Sequence, residues 1–269
     1  NPNWWNGSVS KPLSIFFRNN TVVNNSVQTD KAGSNIQAAG LMVQGWQVGY
    51  IYSYNNLIWG NDIVGEDNNQ QIRVEIDEQR LIYTSDYNNI QNFENSDSYQ
   101  YAGDNTISFE PSMVDTVGGD YSLDNKSLLI GAGTKSLEGF SAPSKDILGN
   151  NRPNPSNSNP DIGAYENSLA VSPYPKPVQK LVATGGNNSV TLSWSANSSS
   201  DNVVKYNIYQ HTSPFLPSSS YLIGNTSNTT FTISGLDNGT RYYFRVAAVN
   251  TSNLEGTASN TINLTPAFS

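Results

Sequence analysis

A chain of 269 residues with 36% hydrophobic and 11% aromatic content is long enough for two modest domains, each with its own core, and too rich in rings to be disordered. The absence of cysteine removes disulfides, thiolate metal sites and cysteine nucleophiles, and no apolar run is long enough to span a bilayer, so no membrane insertion is expected. The net charge of −8 divides unevenly, with 9 Lys and Arg against 19 Asp and Glu up to residue 172 and 5 against 3 beyond it; an acidic first part repels nucleic acid, and no nucleic-acid partner is expected.

The predicted elements are strands from the outset. Leu13 to Arg18, Gly40 to Trp46, Val48 to Tyr54, Gln71 to Asp77 and Arg80 to Ser85 are short, rich in β-branched or aromatic residues, and bounded by Asn, Gly or Asp. A weak repeat runs through them: RNNTVVNN from Arg18, YNNLIWGN from Tyr54 and YNNIQNFEN from Tyr87. Asn20 to Asn56 spans 36 positions and Asn56 to Asn89 spans 33, a period expected of a solenoid. Asparagine suits the corners of such a coil because it tolerates left-handed backbone and its amide can bond the same amide one turn away.

Two strands carry candidate chemistry. In QIRVEID, Ile72, Val74 and Ile76 alternate with Arg73, Glu75 and Asp77, placing a base and two carboxylates on the outer face as candidate catalytic residues. In VGYIYSY, Tyr50, Tyr52 and Tyr54 lie opposite Ile51 and are candidates for stacking on sugar. The bland alternative is a solvated charged face beside a packed tyrosine ladder. Asp62, Glu66 and Asp67 share one loop and are candidate oxygen ligands for Ca2+, the one cofactor the sequence suggests. His211 is the only histidine and lies in the second half, so no Ser-His-Asp triad can form in the first.

The stretch from Asp120 to Glu166 then supplies a distinctive series: Asp120, Tyr121 and Leu123; Ser127, Ile130 and Gly133; Asn151, Arg152 and Pro153; and DIGAYE from Asp161 to Glu166. With the asparagine repeat before it, this series resembles the closing part of bacterial right-handed parallel β-helix proteins of the pectate-lyase-like superfamily, with Gly131 where the family often has Asp. The resemblance implies an all-β first domain over residues 1–171 whose segment from about 120 to 166 is a C-terminal cap. Within it, Arg152 is expected to pair with Asp161 or Glu166 in a bidentate contact that pins the Pro- and Asn-rich loop against the last rung. Polysaccharide lyases of the superfamily use a basic residue beside a uronate, often with calcium, which is the scheme Arg73 would serve.

SPYPKPVQ from Ser172 to Gln179 reads as a stiff linker. Beyond it, residues 180–269 alternate in short strands, with Val190, Leu192 and Trp194, then Tyr206 and Ile208, Phe231 and Ile233, and Tyr242, Phe244 and Val246, the pattern of a β-sandwich. SVTLSW, KYNIY and ISGLDNGTRYYFRVAAVN resemble a fibronectin type III domain, which makes Trp194 a core residue and Tyr242, with Leu236, its tyrosine corner. His211, Phe215 and Tyr221 read as packing.

Three function classes follow. The first and preferred is an extracellular or cell-surface structural or adhesive protein of bacterial type: a β-helix rod with a fibronectin-type spacer, able to self-assemble through the open β-helix end. The second is a fragment of a secreted polysaccharide lyase or hydrolase. The third is a noncatalytic carbohydrate-binding β-helix. A polysaccharide or cell-surface matrix is the expected partner, and no secretory leader is visible, which fits a processed form or a native start other than Asn1.

Overall fold

The computed structural model describes residues 13–28, 39–45, 49–64, 71–76, 81–91 and 103–267. The chain is all-β with almost no helix and divides into two compact units, Asn1–Ser172 and Pro173–Ser269.

Among the described residues, the first unit opens with strands in chain order: β1 (Leu13–Arg18), β2 (Thr21–Val23), β3 (Ser26–Gln28), β4 (Leu41–Gly45), β5 (Gly49–Tyr54), β6 (Leu57–Trp59), β7 (Asp62–Val64), β8 (Ile72–Ile76), β9 (Leu81–Asp86) and β10 (Asn89–Ile90). Each pairs in parallel with a strand one repeat away, giving sheets β1-β5-β9, β2-β6-β10, β3-β7 and β4-β8. Alternation decides which side chains face inward. Ile51, Ile58, Val74, Leu81, Tyr83 and Ile90 form one buried cluster, while Leu57 and Trp59, flanking Ile58, face the other way.

The corners repeat as well. Asn19, Asn55 and Tyr87 hold φ of 53°, 55° and 53°, and Asn24 and Gly60 hold 54° and 67° at the next corner. One position on, the amides stack: Asn20 Nδ2 donates to Asn56 Oδ1, and Asn56 Nδ2 to Asn88 Oδ1, each at 2.9 Å. A second ladder runs from Asn25 to Asn61 at 2.8 Å and from Asn61 to Gln71 at 2.9 Å. The stacked partner of Asn56 is therefore Asn88, 32 positions on, and not Asn89 as the sequence repeat suggested. Aligning the two Tyr-Asn-Asn triplets misleads because the strand register pairs Tyr54 with Asp86, so Tyr87 takes the left-handed corner that asparagine holds in the earlier turns.

After Ile107, which bridges in parallel to Asn89, the chain leaves the ladders through two hairpins, β11 (Met113–Asp115) with β12 (Asp120–Leu123) and β13 (Ser136–Leu137) with β14 (Phe140–Ser141). The segment from 120 to 166 packs against the ladders. It runs along the flank, where Leu123, Leu129, Ile130 and Ile162 bury the outward Leu57 together with Val23, Trp59 and Ile107. Asn19 Nδ2 donates to the Asp161 carbonyl, Gly163 N–H donates to the Asn55 carbonyl, and Ala164 N–H donates to Thr21 Oγ1. The reason is the apolar outward side chains of β2 and β6, Val23, Leu57 and Trp59, which this segment covers.

The second unit is a sandwich of two antiparallel sheets. One is β15 (Gln179–Gly186), β16 (Ser189–Ser195) and β19 (Thr230–Ser234); the other has the order β18-β17-β20-β21, from Leu222–Thr226, Val203–His211, Tyr242–Asn250 and Ile262–Leu264. Its core joins Val190, Leu192, Trp194, Tyr206, Ile208, Phe244 and Val246, with Trp194 edge-on to Tyr206 at 5.2 Å. The Asp237 N–H donates to the Tyr242 hydroxyl at 3.1 Å, fastening the corner before β20. In SPYPKPVQ, where the two units divide, Pro175, Pro177 and Val178 are buried, and the Pro173 and Lys176 carbonyls accept from Asn250 and Asn197.

Candidate functional site

The outer face of the β1-β5-β9 sheet gathers the aromatic residues. The parallel register places Ser14, Tyr50 and Ile82 in one row, Phe16, Tyr52 and Thr84 in the next, and Arg18, Tyr54 and Asp86 in the third. Phe16 stacks on Tyr52 with centroids 5.4 Å apart and planes 13° apart, and Tyr50 lies 6.3 Å from Tyr52 at 11°. Phe140, brought in by the β13-β14 hairpin, tilts against both Phe16 and Tyr52 at 4.7 and 4.8 Å. Phe16 and Phe140 each remain 37% exposed, and the Arg18 guanidinium sits 5.3 Å from the Phe16 ring centre. The result is a strip of rings open to solvent along one edge.

Tyr54 does not join that strip. Its exposure is 0%, because the hairpin lies over it: its hydroxyl donates to the Phe140 carbonyl at 2.9 Å and accepts from Arg18, which also donates to the Ser141 carbonyl. Of the expected tyrosine trio, Tyr50 and Tyr52 are half-buried and in the strip, and Tyr54 is a buried anchor. Phe16 was readable from the alternation in LSIFFR; Phe140 was not, since nothing near it in sequence ties it to a strand more than a hundred positions earlier.

Arg73 and Glu75 lie on the outer side of β8, with Arg73 Nε 3.3 Å from Glu75 Oε1 and Gln44 donating to Glu75 Oε2 at 3.2 Å. Asp77 lies outside the described residues, as do Glu66 and Asp67. Asp62 is exposed on β7, and among the described residues no group of three or more acidic or imidazole side chains could hold a metal ion.

The strongest electrostatic arrangement is buried within the 120–166 segment. Arg152 Nε donates to Glu166 Oε2 at 2.8 Å, with both side chains almost wholly out of solvent. The contact uses one donor and is not the bidentate fork. Glu166 also accepts the N–H groups of Asn154 and Asp161. Asp161 takes backbone instead of guanidinium, accepting Gly131 N–H at 2.7 Å and Asn167 N–H at 2.6 Å. Gly131 can approach so closely because it holds φ of 66°, and a Cβ there would meet the Ala170 carbonyl oxygen at 2.1 Å. Burial, reinforced by the Glu166 charge, pushes the Asp161 carboxyl up to about 7, and burial also raises Glu166. Burial presses Asp146 upward too, but bonds from Asn150, Glu166 and Leu148 outweigh it and hold it below the usual carboxylate range. These groups bond one another and the backbone of the same segment, which suits fastening.

In the second unit, His211, Phe215 and Tyr221 form a ring cluster, with His211 edge-on to Tyr221 at 4.6 Å, and Tyr209 donates to Glu255 at 2.8 Å.

Residues 176–265 match the family model for the fibronectin type III domain, and the second unit is such a domain. An amylopullulanase of Thermoanaerobacter thermohydrosulfuricus is 31% identical over 116 residues, which cover 40% of this chain; the chain spans 8% of that protein's length. Among solved structures, an Fn3-like protein from Clostridium thermocellum is 24% identical over 35% of this chain and 94% of its own, with a TM-score of 0.29. A pectate lyase from Pectobacterium carotovorum is 25% identical over 34% of this chain and 28% of its own, with a TM-score of 0.28. Among the described residues, no helix is long and apolar enough to cross a membrane.

Proposed function

We propose that this chain is a noncatalytic segment of an extracellular carbohydrate-active protein, a rod that holds polysaccharide along its aromatic strip beside a fibronectin type III spacer. The parallel ladders and stacked corner asparagines support reading the first unit as turns of a right-handed parallel β-helix, the hand expected of parallel crossovers. The observation that carries the functional reading is the strip of Phe16, Tyr50, Tyr52 and Phe140, with Phe16 and Phe140 each 37% exposed. Contiguous rings with polar rims offer apolar contact to the C–H faces of sugars and hydroxyl partners at their edges. The acidic balance of residues 1–172 favours a neutral polysaccharide over a polyanionic one. The likeness to an amylopullulanase supports the carbohydrate context.

Arg73 Nε lies 3.3 Å from the neighbouring Glu75 carboxylate, an ion pair on the strand's own face. A pull-down against a panel of insoluble and soluble polysaccharides, with calcium present and ultraviolet absorbance monitored for unsaturated products, tests the reading. Retention on a neutral polysaccharide without turnover is expected. Steady formation of unsaturated product would replace it with the lyase reading.

A further inference from the structure

A cation stands beside the ring strip and uses only part of its bonding capacity. Arg18 follows Phe16 on the outer face of β1, and its guanidinium lies over the Phe16 ring, 5.3 Å from the centroid. Nη1 donates to the Tyr54 hydroxyl at 3.3 Å and to the Ser141 carbonyl, which commits both of its hydrogens to the buried tyrosine and the β13-β14 hairpin. A guanidinium, however, carries five N–H donors in a rigid planar fork. Among the described residues no acceptor meets Nε or Nη2, and Arg18 is only half-buried. Fastening the hairpin takes one nitrogen, and the edge formed by Nε–H and Nη2–H is spare. The ring contact and the two Nη1 bonds hold the plane of that edge in place, so little side-chain freedom is lost when it meets a ligand.

We infer that this edge is the orienting fork of the carbohydrate site, donating to two neighbouring hydroxyls of a neutral sugar whose C–H face rests on the strip; the inference rests on the carbohydrate reading above. Two N–H groups side by side suit two oxygens side by side, which is what a vicinal pair of equatorial hydroxyls presents. A (1→4)-linked glucan keeps such a pair free on the second and third carbons of every unit. A (1→3)-linked glucan spends one of the two oxygens in its linkage. The ligand class is therefore a (1→4)-linked neutral glycan, with Arg18 as the residue that sets the preference. A carboxylate also fits such a fork, but Asp86 shares the row of Arg18 and Tyr54, and residues 1–172 carry 9 Lys and Arg against 19 Asp and Glu. That surplus favours an uncharged acceptor.

Titration calorimetry of the full chain against soluble hexasaccharides tests this, using (1→4)-linked glucose, (1→3)-linked glucose and a (1→4)-linked uronate. The native chain should bind the (1→4)-linked glucose about fivefold more tightly than the (1→3)-linked, the worth of one further hydrogen bond. Arg18→Lys keeps a charge near Phe16 and a donor for the hairpin but lacks the fork, and should bring the two affinities together. A purely structural role would weaken both in proportion and leave their ratio as in the native chain, which would overturn the inference. Equal binding of the two glucose chains by the native protein, or tighter binding of the uronate, would overturn it as well while leaving the carbohydrate reading standing. A native chain that binds none of the three would remove that reading and the inference together.

Discussion

Arg152 and Glu166 meet through a single Nε donor at 2.8 Å, with both side chains at 1% exposure or less. A buried pair of this kind contributes little net stability over apolar residues of the same shape, but removing one partner strands the other charge at a cost of about 3–5 kcal/mol. Arg152→Ala should therefore abolish most of the stability of the first unit in urea titration and leave the second unit's transition in place. An unchanged first transition would refute the fastening role.

The pH dependence of the first unit follows from Asp161. Its folded value of about 7 lies above its ordinary one, so between roughly pH 4 and pH 7 the folded state binds more protons than the unfolded state, and stability falls as pH rises through that window. Glu166, also raised, acts in the same sense, while Asp146, lowered, opposes it only at more acidic pH. The Asp161 shift alone corresponds to on the order of 4 kcal/mol. The first unit should melt several degrees higher at pH 5 than at pH 8, and Asp161→Asn should flatten that profile; a profile rising with pH would contradict it.

The ladder predicts unequal effects at its two ends. Asn56 is fully buried, donates to the Phe17 carbonyl and Ser53 Oγ as well as Asn88, and accepts from Asn20. Truncation leaves several of these groups unpaired, at about 3 kcal/mol in total, whereas Asn20→Ala at the open end should cost about 1 kcal/mol. Equal losses in denaturant titration would show that the ladder does not act as a directional stack.

In the second unit, Tyr242→Phe removes the acceptor of the Asp237 N–H. A loss of about 1 kcal/mol is expected in that unit's transition, with the first unit unmoved. An unaffected second transition would mean that the corner is held by packing alone.

Much of this architecture was legible in the sequence for physical reasons. Alternation in QIRVEID sorts Ile72 and Val74 from Arg73 and Glu75, and the paired asparagines mark corners because few other residues accept a left-handed backbone. The same signal misplaced one rung, since Tyr87 occupies such a corner and shifts the triplet by one. The flank position of the 120–166 segment was hidden because it depends on Leu57 and Trp59 facing outward, a choice that a three-residue strand does not reveal. Tyr54 was read with Tyr50 and Tyr52 for want of Phe140, whose hairpin covers one tyrosine and extends the strip beside the other two.

The strip itself is tested most directly by affinity electrophoresis through gels containing a neutral polysaccharide that retains the native chain. The double variant Phe16→Ala with Tyr52→Ala, checked for an unchanged circular dichroism spectrum, should lose at least tenfold in affinity, as expected from the loss of two ring contacts at about 1 kcal/mol or more each. Retention of the variant equal to that of the native chain would contradict binding at this face.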